Sequence, residues 1–101
     1  MLPQTWPNLT SLFQPLDKYI DSLSVRPVPA GQQVLIRFTN HYGVEIHRYP
    51  QADFFEMTVI KFTDKGMGAY EFAIDTTVPD LTIGSTDEEI FSLCEQVSRL
   101  K

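Results

Sequence analysis

His41 and His47, six residues apart, are the side chains of this chain best suited to proton chemistry near neutral pH. Tyr42-Gly43 lies between them and predicts a turn, so a hairpin there would bring the two imidazoles together with Glu45 or Asp53 nearby. His41, Glu45 and His47 therefore form a candidate ligand site. A metal centre normally needs three or four converging ligands, and Cys94 falls on an apolar helical stripe instead, so no metal site is assigned. Nucleophilic catalysis asks for a Ser, Thr or Cys beside a histidine with an acid behind it. On its apolar stripe Cys94 reads as a small core residue, and no catalytic residue is assigned. Asp64-Lys65-Gly66-Met67-Gly68 carries two glycines without the strand–loop–helix context of a phosphate loop, and no cofactor is expected. Glu45, Glu56, Glu71 and Asp75 fall on neighbouring predicted strands, where a close pair could run acid–base chemistry. Glu45, Glu56 and Glu71 read more simply as a wet face interleaved with Arg37, Arg48 and Lys61.

The second cluster is acidic. Thirteen acidic against eight basic residues give a net charge of −5. That balance argues against nucleic acid as a partner, because nucleic-acid sites rest on basic patches. Trp6, Phe13 and Tyr19 have no basic groove beside them and fit core packing better than base stacking. Asp80, Asp87, Glu88 and Glu89 form the densest acidic segment, and Asp75 extends it if the intervening loop folds back. Such a surface can oppose a basic protein and speed encounter with it. With Glu89 reserved for a helix cap, Asp75, Asp80, Asp87 and Glu88 are the candidate protein-binding residues.

The elements that must position these groups follow from periodicity. The 101 residues, 43% hydrophobic and 21% charged, suit one globular domain over 1–101. Residues 1–7 read as an arm. A short turn at 8–13 and a helix near 15–23 follow, with Pro15 either kinking or starting that helix. Arg26-Pro27-Val28-Pro29-Ala30-Gly31 predicts a stiff linker over 24–32. Val34, Ile36 and Phe38 alternate in a first strand, ended by Asn40-His41-Tyr42-Gly43, with Gly43 suited to positive φ. Val44 and Ile46 mark a second strand. Residues 54–62 form a third, apolar on both faces and so placed at the sheet centre, and Tyr70, Phe72 and Ile74 a fourth. Short connections predict an antiparallel meander. Residues 76–85 read as irregular, with an extended piece at 81–83. Thr86-Asp87-Glu88-Glu89 is a capping box, opening a helix whose stripe is Ile90, Leu93, Cys94, Val97 and Leu100. The expected fold is α+β: a four-stranded antiparallel meander sheet packed against a C-terminal helix, with a short N-terminal helix. Which sheet face that helix covers is not encoded in the pattern.

A single cysteine precludes an internal disulfide and suits a reducing compartment. No basic-then-apolar leader and no long apolar run is present, so a cytoplasmic location without a membrane is expected. The two open edges of a four-stranded sheet invite pairing with another chain, and a homodimer is a candidate state.

Four short pieces carry a resemblance: Gly43-Val44-Glu45-Ile46, Phe55-Glu56-Met57-Thr58-Val59, Asp75-Thr76 after an aromatic-rich strand, and Ile83-Gly84 before the capped acidic helix. Over residues 43–97 the chain resembles a group of small uncharacterised proteins from phage and mobile elements. The relatives in that group place Pro soon after the Asp-Thr pair, whereas Thr77-Val78 intervenes here before Pro79, and residues 1–29 lie outside the match. The resemblance implies an accessory intracellular protein acting on a host protein, and it carries no catalytic residues. The expectation is a small acidic protein-binding or regulatory protein with an unidentified protein partner. The alternative is a small enzyme or ligand-binding domain on the His41/His47 side. A concave pocket lined by both histidines and a carboxylate would favour the alternative, and an exposed apolar patch without such a pocket would favour binding.

Overall fold

The structure is a computed structural model that describes residues 12–29, 31–49, 54–66, 68–74, 76–84 and 86–101. The expected arm at 1–7, most of the turn at 8–13 and Asp75 lie outside the described residues. The fold is α+β, an antiparallel sheet packed against a C-terminal helix with a short N-terminal helical element.

A 3-10 helix, Gln14–Tyr19, follows helical Leu12 and Phe13 at the start of the described chain, with Pro15 in its first turn. Pro15 therefore starts the helix, as its missing N–H permits. The element stops at Tyr19, not near residue 23, because Ile20–Val28 is a strand, β1. Leu23 and Val25 alternate with Ser22 and Ser24, a period of two that the helical spacing of Ile20 and Leu23 masked. The expected linker over 24–32 is thus a hairpin. Val28 pairs with Gly31, and β1 runs antiparallel to β2, Gly31–Phe38. Pro27 is tolerated because edge strands accommodate a residue that cannot donate to the ladder.

The sheet continues through β3, Tyr42–Tyr49, and β4, Phe54–Phe62. Beyond β4 the next position is shared by β5, Tyr70–Phe72, and β6, Leu81–Gly84. Both pair antiparallel with β4, β5 through Ile60–Phe62 and β6 through Phe55–Thr58. Opposite Val59 the ladder is shared: Ala73 N–H donates to the Val59 carbonyl and Val59 N–H donates to the Asp80 carbonyl, 3.0 and 3.1 Å. The fifth strand is therefore one interrupted edge strand, and the chain between Ala73 and Asp80 leaves the sheet and returns. A turn in which Thr76 Oγ1 accepts from Val78 N–H, and the buried Val78 side chain, anchor this excursion. The expected fourth strand accordingly ends before Ile74, and the extended piece at 81–83 completes it.

The sheet has six strands in the order β1-β2-β3-β4 with β5 and β6 side by side, not four. With β1 included, β3 holds the middle, and the expectation that residues 54–62 do so is corrected. One face carries the core. Val34, Ile36 and Phe38 of β2, Val44 and Ile46 of β3, and Phe55, Met57 and Val59 of β4 are buried on it, with Val34 opposite Ile46, Ile36 opposite Val44, Val44 opposite Val59 and Ile46 opposite Met57. The helix α1, Asp87–Ser98, lays Ile90, Cys94 and Val97 on this face, and Phe13 and Leu16 join the same core. Fully burying one such side chain stabilises the fold by about 1.5–3 kcal/mol.

Helix α1 is held at both ends. Thr86 Oγ1 accepts from Glu89 N–H at 3.2 Å, and a Glu89 carboxylate oxygen accepts from Thr86 N–H at 3.1 Å, completing the capping box. At the other end Asn40 Nδ2 donates to the carbonyls of Val97 and Leu100, both at 2.9 Å. The β2–β3 turn thus ties down the end of the helix, adding a donor to the Val97 carbonyl, which also accepts from Leu100 N–H at 3.1 Å, and to that of Leu100 just beyond it. Gly43 does not take positive φ: among the described residues that backbone falls on His41, φ 72°, and on no glycine. Gly43 lies inside β3, and the close approach there requires glycine: a Cβ would lie 2.1 Å from the Ile36 carbonyl oxygen and 2.6 Å from the Phe62 ring.

Candidate functional site

The face of the sheet turned away from α1 carries the side chains with chemistry. Register places them in rows across the strands. Arg26, Gln33, His47 and Glu56 form one row, Ser24, Leu35, Glu45, Thr58 and Leu81 the next, and Ser22, Arg37, Gly43, Ile60 and Phe72 the third.

At the turn end, Arg37 is buried and acts as a clamp. Its Nη1 donates to the carbonyls of Asp64 and Gly66, at 2.6 and 2.5 Å, drawing the β4–β5 loop over the sheet. Its Nε lies 3.2 Å from Asp21 Oδ2, a contact to β1 without hydrogen-bond alignment, and its guanidinium stacks over Phe62 at 5.0 Å. His41 belongs to this clamp: Arg37 Nη2 and His41 Nδ1 are 3.1 Å apart.

The expected convergence of His41 and His47 therefore does not occur. The turn closes before β3 begins, leaving His41 at its tip and His47 six residues further along the extended chain, on the order of 20 Å away at about 3.4 Å per residue. Glu45 and His47 do share the open face, with His47 Nε2 3.8 Å from Glu45 Oε1. The third member of that group is Tyr70, whose hydroxyl donates to Glu45 Oε2 at 2.7 Å. This bond raises the Tyr70 pKa above its ordinary 10.0; burial and the Glu45 charge add to the effect, and Arg26 opposes it. Tyr70 also stacks against Phe62, ring centroids 5.6 Å apart. Ile60 lies between these partners in register and is fully buried, which explains why β4 is apolar on both faces. A cavity of about 250 Å³ beside this group is lined by Ser24, Arg26, Gln33, Leu35, Gly68 and Tyr70, with Arg26 donating to Gln33.

The group offers an acid, a phenol and an imidazole, but Glu45 is committed to Tyr70. Cys94 is remote, fully buried under α1, and burial pushes its thiol strongly upward, away from the thiolate that a nucleophile needs. Among the described residues no set of three or more His, Cys, Asp or Glu side chains is placed to hold a metal ion. Nor is any helix among them long and apolar enough to cross a membrane.

The acidic candidates divide. Asp87 is drawn inward to Arg48 Nη1 at 2.8 Å, pinning the start of α1 to the far end of β3. Arg48 and Lys61 accordingly do not interleave with Glu45 and Glu56 on the open face: Arg48 shares the helix side with Phe55, and Lys61 pairs with Glu71. Asp80 and Glu88 remain exposed.

Sequence reasoning did not single out one apolar surface feature. Phe72, Ile74, Leu81 and Ile83 are 66, 68, 54 and 64% exposed. Phe72, Leu81 and Ile83 stand opposite Ile60, Thr58 and Glu56, alternate residues of β4, so all three project from the open face in one line. Ile74 follows where the chain leaves the sheet. The alternation at Leu81 and Ile83 was the available signal; it became informative once the helix was known to lie on the other face. No protein-family model, curated protein or solved structure matches this chain.

Proposed function

We propose that this protein is a binding or regulatory module that engages another protein through the open face along β5 and β6. The observation that carries this reading is the line of Phe72, Leu81 and Ile83, extended by Ile74, left more than half exposed beside a core that has already closed on the opposite face. An apolar stripe of this kind on a small domain favours association over folding as its purpose. Glu56 opposes Ile83 on the same face, and Asp80 precedes Leu81. With a net charge of −5, these groups fit a partner whose apolar side chains are flanked by basic ones. Asp80 keeps its role from the acidic segment, Asp87 serves the fold, and Glu88, carried by α1 on the other side of the sheet, is not part of this surface. The lone buried Cys94 fits a cytoplasmic setting, and the resemblance to phage and mobile-element proteins makes a host protein the natural partner class.

The test compares capture from the native cell by the wild-type chain and by the triple variant Phe72→Ser, Leu81→Ser, Ile83→Ser. A specific protein retained by the wild type and lost by the folded variant supports the reading. Equal capture by both would remove its basis.

A second reading, a ligand-binding domain on the His47 side, draws on the Glu45–His47–Tyr70 group and the adjoining cavity. It proceeds without His41, which is engaged with Arg37. Saturable shifts of the His47 ring signals with a small polar ligand, abolished in Glu45→Gln, would favour it.

A further inference from the structure

We propose that two copies of this chain pair through β1, antiparallel and edge to edge, about a two-fold axis at Ser24. The inference is independent of the binding surface above, because it uses the opposite edge of the sheet.

The two edges differ in kind. The β5/β6 edge is broken by the excursion after Ala73, a device that blunts pairing. The β1 edge is nine residues long and exposed through its middle. Its outward hydrogen-bonding groups can be identified. Pro27 lacks an N–H and so occupies a position facing away from β2. Alternation then turns the amide and carbonyl of Leu23 and Val25 outward as well, while Ser22, Ser24 and Arg26 direct theirs to β2. The irregularity between Ile20 and Ser22 and the missing N–H of Pro27 confine regular pairing to residues 22–26.

Within that window one two-fold register satisfies both strands. With Ser24 opposite Ser24, Leu23 faces Val25 of the second copy and Val25 faces its Leu23, each pair exchanging two backbone hydrogen bonds. Side chains agree with this register. Leu23 and Val25 lie on the helix side of the sheet, in register with buried Ile36 and Val34, yet are 39 and 38% exposed because α1 sits over β3. Pairing assembles four of these side chains into one apolar cluster continuous with the two cores. On the open face, Ser22 faces Arg26 of the second copy, bringing that guanidinium next to Asp21, so unlike charges meet twice. The interface is isologous and consumes the edge it uses, so association stops at a dimer.

The experiment measures solution mass by light scattering against concentration for the full chain. The wild type should rise from 11.6 kDa toward twice that mass. Val25→Pro deletes an outward N–H without touching the β1–β2 ladder, and Val25→Lys places a charge opposite Leu23; both should stay monomeric while folded. Oxidation of Ser24→Cys should give a covalent dimer faster than oxidation of Ser22→Cys, since only position 24 meets itself across the axis. A wild-type mass fixed at 11.6 kDa, dimers that persist in both Val25 variants, or cross-linking from position 22 that equals that from position 24 would each overturn the proposal.

Discussion

Phe72 and Leu81, nine residues apart in sequence, stand as near neighbours on one edge strand, opposite Ile60 and Thr58 of β4. The excursion between them leaves the ladder at Ala73 and rejoins it at Asp80, so two short strands present one apolar line. The core does not use this line, which is why it carries the functional reading.

If the line is not part of the fold's stability, replacing it costs little. Phe72→Ser, Leu81→Ser and Ile83→Ser are each expected to change unfolding free energy by no more than about 0.5 kcal/mol, as for surface positions generally. Urea denaturation checks this. By contrast Ile90→Ala, under the helix, should cost about 2–5 kcal/mol.

Tyr70 supplies a pH-dependent test. Its phenol holds its proton more tightly in the folded chain because it donates to Glu45. Above pH 10 the native state then binds more protons than the unfolded chain. The stability from this bond is fully present below the ordinary value of 10.0 and is lost as pH rises through the higher folded value. Ultraviolet titration should show Tyr70 ionising late; Tyr70→Phe should abolish that late step, and Glu45→Ala, which removes both the acceptor and its charge, should bring it earlier.

Asn40 joins the β2–β3 turn to the end of α1 through two carbonyls, and its own Oδ1 accepts from Tyr42 N–H at 3.1 Å. Asn40→Ala removes all three bonds. The expected loss is about 1–3 kcal/mol, with faster amide exchange in the last turn of α1, measured by hydrogen-exchange NMR.

Gly43→Ala forces a methyl against the Ile36 carbonyl, a rigid backbone atom. Overpacking of this kind costs about 1–3 kcal/mol, and the midpoint of thermal unfolding should fall accordingly.

The capping box at Thr86, the stripe through Ile90, Cys94 and Val97 and the alternation in β2–β4 were legible in the sequence, because each is a local pattern with a fixed period. The first strand was not. Ile20 and Leu23 fit helical spacing as well as strand spacing, and Pro27 and Pro29 suggested a linker until pairing with β2 explained them. The histidine pair failed for a related reason. Gly43 looked like the turn residue, but it pairs with Arg37 and Ile60 inside β3, and the positive φ falls on His41. At the candidate site Glu45 and His47 shared a face as alternation requires, whereas Tyr70 and the apolar line depended on how β5 and β6 divide one edge, a long-range relationship that no local period encodes.

Site-specific photo-crosslinking in the native cell tests most directly whether the face along β5 and β6 contacts a partner protein. A photoreactive residue at position 81 should yield a discrete adduct with a second protein, while the same residue at position 92, on the exposed side of α1, should not. No adduct from position 81, or the same adducts from both positions, would contradict the account.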